Sequence, residues 1–296
     1  MHGIIAPVFT PFHENGDINL DPIPKYAKYL AKNDIEGILV GGTTGEFVSL
    51  SVEEKKLVVD GWLKETRSLN LKVMVHIGGA PLPYVIEMAK YAERVKVDAI
   101  MTLPELYFKP QTPEQLVTYL EVVAKAAPSL PIYYYNFPMM SGVDVNNATF
   151  FKLATSRIPY FMGMKADLHV ANQVSNQLVD GRKVFIANHV LAPSVLMGHD
   201  SSIATVTNMF PKLVMDIVKT TKAGDVVKAR ALQFQLNDLV DSIAREGAFV
   251  PAMKIAMECI TGIEVGPPRM PQTPLSNDLR TKIQEKMREL GYSRDH

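Results

Sequence analysis

Three stretches of the chain carry residues whose types and spacing suit acid–base or nucleophilic chemistry. The first ends in Lys165, which closes the run Pro159-Tyr-Phe-Met-Gly-Met-Lys165. A short apolar run opened by proline and broken by one glycine reads as a buried strand. After the lysine the pattern turns helical, at Leu168, Val170, Ala171 and Val174. Burial penalises an ammonium and favours the free amine, so a lysine held there suits attack on a carbonyl carbon. The alternative is a strand-end lysine whose head reaches water. The second stretch is Gly41-Gly-Thr-Thr-Gly-Glu46. Its glycines let backbone N–H groups converge on an anion, with the hydroxyls of Thr43 and Thr44 beside them; the alternative is a plain strand-closing turn. The third is Tyr133-Tyr-Tyr-Asn-Phe-Pro138. Strand alternation puts Tyr133 and Tyr135 on one face, and a phenol at the open end of a barrel can shuttle a proton or merely pack.

The elements that position these stretches follow from periodicity. Apolar strand runs are expected at residues 3–9, 35–40, 71–77, 98–103, 131–135, 160–165, 183–187 and 201–206. Each is followed by a helical pattern, two of them opened by capping boxes, Ser51-Val-Glu-Glu54 and Thr112-Pro-Glu-Gln115. Strands alternating with helices mean crossover connections and a parallel sheet, and eight such units are the count of a (β/α)8 TIM barrel. The runner-up, an open doubly wound sheet, usually shows a Gly-x-Gly-x-x-Gly turn after its first strand, and the sequence has none there. The expected organisation is a barrel over 1–222 and a helical extension over 223–296, packed on the barrel. In such a barrel, chemistry belongs at the C-terminal strand ends, so the glycine loop, the tyrosine and the lysine converge on one mouth. That convergence favours a functional reading of all three.

The totals narrow the class. The 296 residues are 47% hydrophobic, with 31 basic and 31 acidic side chains, so neither nucleic acid nor a membrane surface is expected as a partner. A single cysteine, Cys259, excludes an internal disulfide framework and a cysteine zinc cluster. The first residues lack the charged opening of a signal peptide, and no apolar run approaches the ~20 residues needed to cross a bilayer. A soluble cytoplasmic protein is the expectation. Histidines and carboxylates are scattered without metal spacing such as His-Glu-x-x-His, so no metal or cofactor is expected.

With these motifs in place, the sequence resembles the N-acetylneuraminate lyase / dihydrodipicolinate synthase family of pyruvate-handling class I aldolases over nearly its whole length. The resemblance rests on Gly41-Gly-Thr-Thr-Gly-Glu46, on Tyr135-Asn-Phe-Pro138 followed by Ser141-Gly142, and on Gly163-Met-Lys165, in that order and spacing. It implies a homotetrameric barrel in which Lys165 forms a Schiff base with the keto carbon of pyruvate. It assigns the pyruvate carboxylate to Thr43 and Thr44, and the proton shuttle to Tyr135 assisted by Thr44. The synthases place an arginine two residues after Tyr-Asn-x-Pro; Met140 stands here, apolar as in the lyases. The run 126–135 and Gly266-Pro-Pro-Arg-Met-Pro271 are similar to the animal neuraminate lyases in particular.

Other positions depart from the lyase pattern. At the end of the seventh strand the lyases carry a glycine and then an Asp-Glu pair that grips sugar hydroxyls. Here Ile186, Asn188 and His189 stand at those places, and Ile186 is expected to narrow the pocket. The small hydroxyl residues after the lysine are replaced by Ala166-Asp167-Leu168, and a Gly-Ser-Thr run by Ala204-Thr205-Val-Thr-Asn208. Asp167, Asn188, His189 and Thr205 are therefore the candidate contacts to a sugar acid, with Asp167 and His189 as a possible pair. His189 as a helix-start histidine without a role stays open. The leading reading is a Schiff-base lyase releasing pyruvate from a sialic-acid-type 2-keto-3-deoxy acid. The alternatives are a pyruvate-dependent aldolase or synthase acting on another such acid, and a barrel that binds a keto acid without turnover.

Overall fold

Eight short apolar runs form the strands: β1 (Ile4–Val8), β2 (Gly37–Val40), β3 (Lys72–His76), β4 (Ala99–Thr102), β5 (Ile132–Tyr135), β6 (Phe161–Ala166), β7 (Lys183–Ile186) and β8 (Ser202–Ile203). All pair in parallel and in sequence order, and the sheet closes where Ile4 meets Ser202 and Ile5 meets Ile203. This is the barrel that the alternation predicts. The computed structural model describes residues 1–292.

The helices between the strands are α1 (Ile23–Lys32), α2 (Val52–Leu69), α3 (Leu82–Val95), α4 (Pro113–Ala126), the single turn α5 (Pro138–Ser141), α6 (Asn147–Arg157), α7 (Leu168–Val174), α8 (Leu191–Leu196) and α9 (Pro211–Lys222). Their starts follow local chemistry. Ser51 and Glu54 form the reciprocal capping box that opens α2. The box at Thr112 closes on one side only: Thr112 accepts from the Gln115 N–H, while the Gln115 side chain turns outward to the N–H of Gln111.

Strand parity divides the core in two. Tyr133, Tyr135 and Phe185 point into the barrel with Ile5, Leu39 and Met74, whereas Tyr134, Val184 and Ile186 face the helices. Register fixes which side chains meet, since Lys165 lies beside Tyr135 on one neighbour and beside Phe185 on the other. Strand eight is shorter than its apolar run suggests. After Ile203 the chain curls into a 3-10 turn, Thr205–Asn208, because the Asn208 amide donates to Pro7 O (2.8 Å) and Thr205 O (3.0 Å).

The extension begins with α10 (Val226–Ala244), which lies on α8 and α9, continues through α11 (Phe249–Thr261) against α10, and ends with α12 (Asn277–Glu289) on α11 and α10. The last four residues of the expected extension lie outside the described residues. Among the described residues no helix is long and apolar enough to cross a membrane.

Candidate active site

Lys165 reaches the barrel mouth from β6. A glycine two residues earlier makes that position possible: Gly163 has φ +131°, and a Cβ there would stand 1.8 Å from the carbonyl oxygen of Lys183 on β7. Lys165 is 4% exposed. Its amino nitrogen lies 4.2 Å from the centroid of the Tyr135 ring, and among the described residues no carboxylate comes within ion-pair distance of it. The Asn136 N–H donates to the Lys165 carbonyl at 2.9 Å, which locks the lysine to the tyrosine strand. Asn136 is in turn held through Asn147 (2.9 Å). Phe137 stacks on the outer face of Tyr135 at 5.6 Å, so the phenol has little room to swing.

The glycine loop faces this pair. Gly41 turns at φ +85°, where a Cβ would run into the Phe47 ring at 2.0 Å. The loop is pinned from the segment just after β1, because the Thr10 hydroxyl donates to Gly45 O at 2.6 Å. Thr43 is exposed at the mouth and its hydroxyl meets the Tyr135 hydroxyl at 3.2 Å. Thr44 is buried and pairs instead with Thr205, at 2.8 Å. The structure thus brings Lys165, Tyr135, Thr43, Thr44 and Thr205 to one mouth, and the direct hydroxyl partner of Tyr135 is Thr43 and not Thr44. An amine, a phenol and a row of hydroxyls around one opening can bind a small carboxylate, condense with its ketone and move protons.

Beneath the mouth, His76 is fully buried. Its Nε2 accepts from the Leu103 N–H at 3.3 Å, and its ring meets Tyr135 edge-on at 6.0 Å. Burial, with the charges of Lys55 and Lys165 adding to it, lowers its pKa from 6.5 to about 3, so the ring is neutral.

The model of the dihydrodipicolinate synthetase family matches residues 1–290. The chain belongs to that family. N-acetylneuraminate lyase of Xenopus tropicalis is 32% identical over 295 residues, 98% of this chain and 97% of the relative. The mouse N-acetylneuraminate lyase is 30% identical over 298 residues, 99% of this chain and 93% of the relative. The solved N-acetylneuraminate lyase of Aliivibrio salmonicida superposes with a TM-score of 0.92 at 31% identity, covering 100% of this chain and 99% of that one.

Against the pattern of this family, the far side of the mouth departs from expectation in one respect. Ile186 does not narrow the pocket. Lys165 points inward beside Phe185, so Ile186, one residue on, points into the helix layer, where it is fully buried. Asn188 and His189 do lie in the loop after β7, both half-buried. Asn188 accepts from the Val190 N–H at 3.2 Å, a local turn contact. Burial lowers the pKa of His189, and the nearby charge of Asp241 opposes that shift. Asp167 is exposed and caps α7 by accepting from the Val170 N–H at 2.8 Å. Asp241, on α10, is therefore the carboxylate that acts on His189. Glu105 accepts from Tyr107 N–H (3.1 Å), a turn contact, and Met140 is exposed.

Sequence reasoning missed a buried ion pair behind the glycine loop. Glu46 sits in the left-handed region (φ +55°), and its carboxylate lies 2.8 Å from the Lys254 ammonium, with both side chains almost fully buried. The same carboxylate accepts from the Arg269 N–H and the Gln272 amide, each at 2.8 Å. Lys254 also donates to the carbonyls of Thr10 (3.0 Å) and Pro267 (2.8 Å). Burial lowers the Lys254 pKa, and Glu46 opposes that shift. The pair fastens the C-terminal segment to the loop that carries Thr43 and Thr44. The available signal was a lone lysine inside an otherwise apolar run, Phe249-Val-Pro-Ala-Met-Lys254-Ile-Ala-Met.

Proposed function

We propose that this carbon–carbon lyase works through a Schiff base on Lys165 and cleaves N-acetylneuraminate, a sialic-acid-type 2-keto-3-deoxy acid, to pyruvate and N-acetylmannosamine. The observation that carries the reading is the buried Lys165 amine, with no carboxylate partner among the described residues, set over the ring of Tyr135, whose hydroxyl meets Thr43. The full-length likeness to proteins named N-acetylneuraminate lyase supports the substrate.

In this reading Thr43, Thr44 and the loop amides hold the substrate carboxylate beside the lysine. The Lys165 nitrogen adds to the C2 carbonyl and water leaves, forming the imine. The protonated imine draws the electrons of the C3–C4 bond as the C4 hydroxyl gives up its proton, so the bond breaks and the aldehyde departs. The Tyr135 oxygen takes that proton as its own passes to the Thr43 hydroxyl, and exposed Thr43 gives up its own proton to the water at the mouth; the same relay run in reverse delivers a proton from that water to C3 of the enamine. Water then hydrolyses the pyruvate imine and frees the lysine. Asn188 and His189 bind the hydroxyls at the far end, while the Thr205 hydroxyl stands beside Thr44 (2.8 Å) at the carboxylate end of the substrate. A homotetramer is part of the proposal; Tyr107 and Phe108, each 83% exposed and packed edge to face, offer apolar surface for a subunit contact.

The test is pyruvate release from N-acetylneuraminate, followed by a coupled dehydrogenase, beside a six-carbon 2-keto-3-deoxy acid. Release from the first at the higher kcat/KM supports the reading. Release only from the second assigns the same chemistry to another acid, and release from neither removes the lyase.

A further inference from the structure

The loop that carries Asn188 and His189 is not held by the barrel alone. Gln233, on α10, is 6% exposed and lies under it. Its oxygen accepts from the N–H groups of Leu191 and Ala192, both at 2.9 Å. Its amide nitrogen donates to the His189 carbonyl at 2.7 Å and to the Asn237 side-chain oxygen at 2.9 Å. A glutamine amide has two donors and an oxygen with two lone pairs, so all four of its valences are used. Three of the four go to residues 189–192. Val190, the residue before α8, makes no side-chain cap, and the first N–H groups of that helix take their acceptor from Gln233 instead.

We propose that Gln233 is a positioning residue for substrate selection: by gripping the backbone on both sides of Val190 it fixes where Asn188 and His189 face the far end of the sugar acid. This role rests on the lyase reading and supplies the source of its specificity. Asn188 makes a local turn contact, accepting from the Val190 N–H at 3.2 Å, whereas the grip of Gln233 comes from 41–44 residues along the chain. Binding sites built to pair with hydroxyls lose discrimination when their polar groups are misplaced by about 1 Å, because the mismatched groups are left unpaired. Lys165 and Tyr135 stand on β6 and β5, away from this grip, so pyruvate chemistry does not depend on it.

Gln233→Met, close in shape and without the polar atoms, tests this in the full chain. Two readouts are needed: the kcat/KM ratio for N-acetylneuraminate over a six-carbon 2-keto-3-deoxy acid, and the pyruvate adduct trapped by borohydride. The expected result is a ratio shifted about tenfold or more, chiefly in KM, with an unchanged adduct at Lys165. Amide exchange at Leu191 and Ala192 should accelerate while the β-strands stay protected. An unmoved ratio, or an equal fall for both acids, overturns the proposal. If Gln233→Met does not fold, Gln233→Glu decides. It keeps the two acceptor bonds but sets an oxygen against the His189 carbonyl, so the same ratio must shift. A parent chain that forms no pyruvate adduct overturns the lyase reading and this proposal with it, which separates the two failures.

Discussion

Replacing Lys254 with methionine should be among the most damaging single changes outside the mouth. Methionine keeps most of the buried stem, so the loss is electrostatic and not one of packing. Glu46 would retain the Arg269 N–H and the Gln272 amide, each at 2.8 Å, but its charge would lose the ammonium at 2.8 Å. The carbonyls of Thr10 and Pro267 would lose a donor as well. Breaking a buried pair by removing one partner costs roughly 3–5 kcal/mol. At about 2 °C per kcal/mol for a large domain, that is a fall in Tm of roughly 6–10 °C. Adding Glu46→Gln should restore part of the loss, because the stranded charge disappears. Urea unfolding of the parent, both single variants and the double variant measures the coupling. Borohydride trapping on the same samples reports whether the Thr43–Thr44 loop has moved, and trapping should weaken with the single change. A loss below about 1 kcal/mol, or strictly additive single changes, would show that Glu46 and Lys254 are not the joint that holds this loop.

Further expectations follow from the same geometry. His76 is neutral in the folded chain, with its pKa near 3 against 6.5 when unfolded. Below pH 6.5 the unfolded state binds the extra proton, so stability present above 6.5 is lost as pH falls toward 3; between pH 7.5 and 5 the loss is about 2 kcal/mol, and His76→Gln should remove that component of the pH dependence of urea unfolding. Tyr135→Phe keeps the packing against Phe137 but loses the hydroxyl, and single-turnover cleavage should slow by roughly 10²–10⁴-fold with pyruvate binding retained. Asn188→Asp combined with His189→Glu should raise kcat/KM for N-acetylneuraminate; a decrease would mean that the present amide and imidazole already suit its hydroxyls.

Much of the fold was legible because its signals are local. Apolar runs, the Ser51 box and the prolines at helix starts mark the strand–helix alternation, and α3 begins and ends where its periodicity does. The motif residues Lys165, Tyr135, Thr43 and Thr44 could be placed at one mouth because a barrel sends every strand end to the same face. What escaped depends on partners far along the chain. Ile186 is expected to narrow the pocket because it stands where the lyases have a glycine, but only the register shows which face it takes, and the pairing of Lys165 with Phe185 turns it outward. Strand eight is expected over 201–206 because Thr205 and Val206 are β-branched, yet it stops at Ile203, since the turn that follows is set by Asn208 bonding to Pro7, 201 residues away. Gln233 and Lys254 gave no local pattern of function: the first serves a loop 44 residues earlier, and the second serves Thr10, 244 residues earlier.

The central claim is that the Lys165 nitrogen forms a covalent imine with a 2-keto acid. Incubation with pyruvate and borohydride, followed by intact and peptide mass spectrometry, tests it most directly. The account predicts one reduced pyruvate per chain, on the peptide containing Lys165, and none in a folded Lys165→Ala variant. An unmodified chain, or an adduct on a different lysine, would contradict it.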